Sequence, residues 1–170
     1  MRNNDLFTGI WHENLNASKK IEFTDGGQYW ILREGKPYAI TVVDGVEKLT
    51  IGNSPKQSAY DRKEDSPVSG IAGVWSNEAE EIYFTAKDYY WNSLAEPLQI
   101  ERGTYESIGD NNGGIITTRD LRSIFTINEN NIVFTPAWGV ADPGTYVFSN
   151  DNNTLTIDLA SGSQSFHRIT

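Results

Sequence analysis

Hydrophobic and polar residues alternate along most of the chain, and a helical period of apolar positions is almost absent. In one segment, Leu155, Ile157 and Leu159 are separated by Thr156 and Asp158. Residues two apart share one face of a strand, so this pattern predicts strands with one buried face. Turn residues recur at intervals of roughly 8–12 positions, the spacing of an antiparallel sandwich or barrel.

The turns divide the chain into a long meander of short antiparallel strands. Asp44-Gly45 and the turn at 25–27 close two hairpins, because glycine supplies the positive φ that such turns need. Closing a long meander into a barrel removes its exposed edges. We therefore predict an all-β fold, an up-and-down antiparallel barrel. The predicted strands cover residues 6–13, 21–24, 28–32, 38–43, 46–51, 80–83, 89–92, 97–108, 115–118, 123–127, 132–135, 144–148, 154–159 and 165–170.

One pattern occurs twice. A Gly-x-Trp start recurs 64 positions later, and an Ile-x-Phe-Thr segment and a Tyr-Trp pair each recur 61 positions later. The repetition predicts one β-hairpin design used twice, with Phe23 and Phe84 on the core face. The paired segments are Gly9-Ile10-Trp11 with Gly73-Val74-Trp75, Ile21-Glu22-Phe23-Thr24 with Ile82-Tyr83-Phe84-Thr85, and Tyr29-Trp30 with Tyr90-Trp91.

A chain of 170 residues is long enough for one well-buried core. We expect a single barrel domain over residues 1–170, with an imperfect repeat over 6–52 and 70–170. The segment 53–69 contains two prolines and the charged run 61–65, which indicates a surface loop. The first copy alone is too short to bury a core of its own.

Composition excludes several classes of partner. The net charge of −9 and the pI near 4.6 argue against nucleic acid and against docking on an anionic membrane. The chain has no cysteine, and it contains no apolar run long enough to insert into a membrane. It carries no phosphate-binding or dinucleotide fingerprint and no nucleophile motif, so we expect no cofactor and no catalytic residues.

The two histidines do not predict a metal site. His12 and His167 are not in a metal-ligand spacing, and there is no third histidine. The interpretation we favour places them as polar residues on the outer face of the barrel. The Asn- and Asp-rich turns lack the spacing of calcium loops, and turn chemistry explains them.

Several short motifs resemble the lipocalin-like (calycin) domains of bacterial secreted and envelope proteins, most clearly over residues 70–170. The resemblance implies a barrel that transports or stores small apolar molecules. It also implies secretion or a cell-envelope location after removal of a signal peptide, and a cytoplasmic location stays open. The motifs are Gly-x-Trp, Ile-x-Phe-Thr, Gly103-Thr104-Tyr105, Tyr146-Val147-Phe148, the segment 152–157 and the final His167-Arg168.

In that family the Trp of Gly-x-Trp plugs the closed end of the barrel, and an Arg from the last strand lies over its ring. The resemblance therefore implies that Arg168 covers an indole. Trp75 is the preferred partner because the best-matching segment starts there, and Trp11 is the alternative. A guanidinium on an indole face makes a cation–π contact and keeps donors for nearby carbonyls.

The remaining aromatic residues suggest a binding site. Trp138 lies in a loop flanked by proline and glycine, where its ring could cover the barrel mouth. With Trp91, Tyr90 and Tyr105 it is our predicted ligand-binding set, because Trp and Tyr supply rigid contact area with a polar tip.

The predicted function is non-catalytic binding of a small apolar or amphipathic ligand in the barrel lumen. The alternative is a structural or interaction module of the cell envelope that binds a protein or glycan through surface aromatics. A third reading, an isomerase- or hydrolase-like activity, would need ionisable groups such as His12 or Glu101 inside a cavity.

Overall fold

A computed structural model of the protein describes residues 4–14, 16–64, 70–96, 100–137 and 139–169. Within these ranges the chain is nearly all antiparallel β-structure, which confirms the predicted fold class. One short helix, α1 (Asn4–Phe7), precedes the first strand. The strands are β1 (Gly9–Glu13), β2 (Asn16–Phe23), β3 (Gln28–Leu32), β4 (Lys36–Val43), β5 (Val46–Ile51), β6 (Ser58–Arg62), β7 (Gly73–Ser76), β8 (Glu80–Phe84), β9 (Asp88–Ser93), β10 (Ile100–Asp110), β11 (Gly113–Asn128), β12 (Asn131–Pro136), β13 (Asp142–Phe148), β14 (Thr154–Leu159) and β15 (Gly162–Arg168).

The chain divides into two compact units. Unit 1 comprises Met1–Arg33 with Leu121–Thr170, and unit 2 comprises Glu34–Asp120. The length of the chain predicted one barrel domain, whereas each unit has a closed sheet and a hydrophobic core of its own. The long strand β11 belongs to unit 2 up to Asp120 and to unit 1 from Leu121 onward.

The sheet of unit 1 is a closed ring of eight strands. Its order is β11, β12, β13, β14, β15, β1, β2 and β3, and β3 pairs again with β11. At the point of closure the backbone N–H of Phe125 donates to the carbonyl of Gly27 at 2.7 Å. Because every strand has two neighbours, the ring leaves no open edge.

The sheet of unit 2 is a second closed ring of eight strands. It runs β4 to β10 in chain order, and the first part of β11 pairs with both β4 and β10. Gly113 and Gly114 lie opposite Ala39 and Tyr38 in this pairing. Side chains are excluded at both pairings: a Cβ on Gly113 would lie 2.7 Å from the carbonyl oxygen of Tyr38 in β4, and one on Gly114 would lie 2.1 Å from that of Ile108 in β10.

Each ring takes strands from both copies of the repeat. The chain therefore forms two closed sheets, although sequence analysis predicted a single barrel. Unit 1 joins β1–β3 of the first copy to β12–β15 of the second. Unit 2 joins β4 and β5 of the first copy to β7–β10 of the second, and β6 completes it. The expected surface loop over 53–69 is wrong where β6 lies: Tyr60 faces the core, and the charged residues Asp61 and Arg62 that follow it are also in the strand.

The interior of unit 1 is mostly aromatic. Phe23 makes edge-on or stacked contacts with several rings, among them Phe125 at 5.3 Å and Tyr29 at 5.3 Å between centroids. Such packing contributes beyond simple area burial. The buried core residues are Phe7, Trp11, Ile21, Phe23, Phe125, Ile132, Phe134, Leu155, Ile157 and Phe166.

The interior of unit 2 contains more aliphatic and tyrosine side chains. Its buried tyrosines bring hydroxyl groups that need partners, and Tyr89 donates to the carboxylate of Asp120. The buried core residues are Tyr38, Ile40, Leu49, Tyr60, Ile71, Trp75, Ile82, Phe84, Tyr89 and Ile116.

The repeated hairpin is confirmed, with one shift of register. Phe23 and Phe84 lie in strands and are 1% and 3% exposed, as predicted. Phe23 pairs with Tyr29, but Phe84 pairs with Tyr89, because the second turn is one residue shorter. The Tyr-Trp pairs 61 apart are therefore not equivalent. A shift of one residue reverses the face of every side chain that follows.

Candidate functional site

Trp11 closes one end of unit 1. The indole is fully buried, and its Nε1–H donates to the carbonyl of Phe7 at 2.9 Å. Arg168 lies over the ring, with the guanidinium carbon 4.2 Å from the centroid. Its Nη1 donates to the carbonyl of Thr8 at 3.0 Å and its Nη2 to that of Leu6 at 2.5 Å. The carbonyls of Leu6 and Phe7 belong to the helical turn of α1, in part of the range where a strand had been predicted, and Thr8 follows it directly.

Trp75 closes one end of unit 2 in the same way. Its Nε1–H donates to the carbonyl of Ile71 at 2.7 Å, and the guanidinium carbon of Arg62 lies 4.1 Å from the ring centroid. Arg62 also donates from Nη1 to Ala72 at 2.7 Å and from Nη2 to Gly70 at 2.5 Å. Each of these acceptors lies 64 positions after its counterpart in unit 1.

The preferred pairing of Arg168 with Trp75 is therefore wrong, and the alternative partner, Trp11, is the one observed. Arg62 was missed because it lies in a charged run. A signal for it exists: Leu49-Thr50-Ile51 and Tyr60-Asp61-Arg62 precede Leu155-Thr156-Ile157 and Phe166-His167-Arg168 by the same 106 positions.

The other end of unit 1 contains a cavity of about 290 Å³. Arg168 lies at the end of β15 that carries the plug, and Gln164, nearer the opposite end, lines the cavity. The buried part of the lining is mainly aromatic and aliphatic, and the more exposed part is mixed, with polar Asp142 and Gln164 beside Val140, which is almost fully exposed. The lining residues are Phe23, Tyr29, Arg122, Ser123, Phe134, Pro136, Val140, Asp142, Ile157, Leu159, Gln164 and Phe166.

Tyr29 contributes a phenol to the lining of this cavity. Burial raises its pKa to about 12, nearby Arg122 opposes that rise, and Glu13 adds to it. Its ring lies 5.5 Å from that of Phe134. The phenol is therefore neutral at physiological pH and can donate or accept a hydrogen bond in the cavity.

The four predicted ligand-binding residues do not form one site. Trp91 is half-buried against the core of unit 2, whereas Tyr90, its neighbour in β9, is 40% exposed on the opposite face. Tyr105 packs its ring on Phe84 at 5.0 Å and donates its hydroxyl to the carbonyl of Thr85 at 2.5 Å. Trp138 lies outside the described residues. Pro136 and Val140, on either side of it in sequence, both line the cavity of unit 1.

Unit 2 has a cavity of about 530 Å³ at the end remote from its plug, with Lys36 and Lys56 among its lining residues. Tyr60 lies at the base and donates to Glu80 at 2.7 Å. Burial and this carboxylate raise the pKa of Tyr60 above its ordinary value. The hydroxyl is thus engaged inside the protein, and the rest of the lining mixes apolar side chains, such as Ile51 and Ile82, with polar ones.

The outer face of unit 2 carries a pair of exposed tyrosines. Tyr83 and Tyr90 are direct cross-strand partners on β8 and β9, with centroids 6.2 Å apart and planes inclined by 23°. They are 46% and 40% exposed. Sequence analysis assigned Tyr90 to a lumen, but strand alternation places it on this outer surface.

Comparison with known proteins yields no match among protein-family models, curated proteins or solved structures. The fold and its sites define an all-β protein with two closed antiparallel sheets, and a Trp–Arg pair closes one end of each sheet. No helix in the described ranges is long and apolar enough to span a membrane.

Proposed function

We propose that unit 1 binds a small, partly apolar molecule in the cavity opposite the Trp11–Arg168 plug. The observation that carries the proposal is the combination of about 290 Å³ of space with a mainly aromatic and aliphatic buried lining and polar side chains in its more exposed part. Small-molecule sites are typically concave and mostly apolar, with a few polar groups that orient the ligand. No chemical step is proposed at this site.

The size and lining of the cavity restrict the ligand. Its volume is near the lower end of the range of about 300–1,000 Å³ for drug-sized ligands, which favours a compact molecule over a sterol or haem. Phe134 and Phe166 would contact its apolar body. Arg122 and Asp142 in the lining would contact a polar group that both donates and accepts hydrogen bonds.

The resemblance to lipocalin-like domains supports the same proposal. A guanidinium from the last strand over the indole of Gly-x-Trp is part of that resemblance, and Arg168 of β15 lies over Trp11, whereas the guanidinium over Trp75 comes from Arg62 of β6. Ligand carriage by secreted or envelope proteins is part of that resemblance, and for this chain it is included in the proposal.

The test is calorimetric titration with a panel of medium-chain fatty acids, small aromatic acids, sterols and haem. Leu159→Trp should block binding, because Leu159 is half-buried and lines the cavity. Leu32→Trp is the matched control: Leu32 is also half-buried in unit 1 but does not line the cavity. The proposal fails if no compound binds, or if both variants bind like the wild type.

A second candidate function rests on Tyr83 and Tyr90. The two exposed rings are nearly parallel, and the neighbouring strand places Arg102 opposite Tyr90. Exposed aromatic faces can stack on sugar rings, so we propose glycan binding as the alternative role. Glycan-array binding that is lost in Tyr83→Ala and retained in Leu159→Trp would favour this candidate over the cavity.

A further inference from the structure

The two histidines of the chain meet on the outer face of unit 1. His12 in β1 and His167 in β15 are direct cross-strand partners, next to the Trp11–Arg168 pair that faces inward. Their ring centroids are 5.6 Å apart. Although 155 positions separate them in sequence, the closure of the ring places them side by side. Directly opposed residues in antiparallel strands have Cβ atoms about 4.5–5.5 Å apart.

Each imidazole is oriented by a hydrogen bond at Nδ1. Nδ1 of His12 lies 3.4 Å from the backbone carbonyl oxygen of Glu13, and Nδ1 of His167 lies 3.1 Å from the Thr154 hydroxyl. A carbonyl oxygen only accepts, so this hydrogen bond requires a proton on Nδ1 of His12, and in that tautomer of the neutral ring Nε2 has the lone pair. The Thr154 hydroxyl can accept from His167 in the same way.

We propose that His12 and His167 form a bidentate site for a borderline divalent transition metal, Cu²⁺, Ni²⁺ or Zn²⁺, through their two Nε2 atoms. Imidazole nitrogen suits these ions, and histidines that bind metals almost always donate their other ring N–H to an oxygen. In the described part of the chain no three His, Cys, Asp or Glu side chains are grouped to hold a metal. The two imidazoles are therefore the protein ligands, and water completes the coordination sphere.

One neighbouring residue, Lys20, should weaken metal binding at this site. Lys20 in β2 is the direct partner of His12 on its other side, and it is exposed. Its ammonium repels a bound cation through partly screened electrostatics. Lys20→Gln should therefore tighten metal binding, a change in the opposite direction from loss of a ligand.

The experiment uses the full chain without an affinity tag, titrated calorimetrically with CuCl2, NiCl2, ZnCl2 and MgCl2. Affinity should follow Cu²⁺ over Ni²⁺ and Zn²⁺, without binding of Mg²⁺. His12→Asn and His167→Asn should each weaken binding at least about tenfold, since even loss of an outer partner costs about 10–100-fold. Thr154→Val, which removes such an outer partner, should weaken it less than either.

Two measurements keep the test independent of how the variants fold. The electron paramagnetic resonance spectrum of the Cu²⁺ complex of the wild type should show coupling to two equivalent nitrogens. Zn²⁺ should also protect both histidines from modification by diethyl pyrocarbonate. The proposal is overturned if either His→Asn variant binds like the wild type, or if the spectrum shows no imidazole nitrogen. Equal modification with and without Zn²⁺ would also overturn it.

Discussion

Removing the guanidinium over Trp11 should destabilise unit 1 substantially. Arg168→Ala deletes a cation–π contact, worth about 1 kcal/mol at a half-buried site. It also deletes donors to the carbonyls of Thr8 and Leu6. Hydrogen bonds to a charged group contribute about 1.5–3 kcal/mol each, but these carbonyls can regain water once the side chain is gone. We expect a loss of about 2–4 kcal/mol in the free energy of unfolding.

Arg168→Lys separates charge from geometry. Lysine keeps the positive charge but cannot present the planar fork that reaches two carbonyls while covering the ring. We expect it to restore about half of the loss seen with alanine. Urea unfolding followed by far-ultraviolet circular dichroism measures both variants against the wild type.

Hydrogen exchange of the indole N–H groups localises the effect. The Trp11 indole should exchange faster in Arg168→Ala, while that of Trp75 in unit 2 serves as the internal control, because Arg62 covers it. The reasoning is refuted if Arg168→Ala costs less than about 0.5 kcal/mol, the range of ordinary surface substitutions. Faster exchange of the Trp75 indole alone would refute it as well.

Three further predictions concern backbone, ionisation and core. Gly9→Ala should lower the free energy of unfolding by about 1–3 kcal/mol, measured by thermal or urea unfolding. Gly9 has a φ of 136°, and a Cβ there would lie 3.2 Å from the Arg168 guanidinium. Gly26→Ala is the control and should be nearly neutral. The pKa of Tyr29 is raised in the folded state, so its contribution to the free energy of unfolding is present below the unfolded pKa near 10 and is lost as pH rises towards about 12. Tyr29→Phe should therefore flatten the fall in stability between pH 10 and 12, measured by urea unfolding at stepped pH. Phe84→Ala should cost about 3–5 kcal/mol in urea unfolding, while Val147→Ala on the surface should stay within about 0.5 kcal/mol.

The sequence by itself determined the local structure. Alternation of side chains decides which face of a strand is buried, so the all-β class and the burial of Phe23 and Phe84 could be predicted from neighbouring residues alone. The Gly-x-Trp motif was equally informative. It carries the indole and the glycine backbone that the plug requires, and both Trp11 and Trp75 are fully buried.

Tertiary structure decided which distant segments meet. Arg168 covers Trp11 because β15 pairs with β1, and Arg62 covers Trp75 because β6 pairs with β7. Pairing between strands depends on which closed sheet buries the most apolar surface, a property of the whole chain that no local pattern encodes. Local alternation therefore did not predict the exchange of strands between the two copies, and its sequence signal was the similarity between segments 106 positions apart.

A small local difference in turn length also changed which residues share a face of the sheet. A turn one residue shorter before β9 decides that Trp91 faces inward and Tyr90 outward. Strand alternation puts these adjacent residues, which sequence analysis had grouped, on opposite faces. The cavity of unit 1 and the facing pair of His12 and His167 also depend on strands that are far apart in the chain. Residue types and spacing could predict a closed antiparallel barrel, but only the observed closed sheets determine how many form and which side chains share a site.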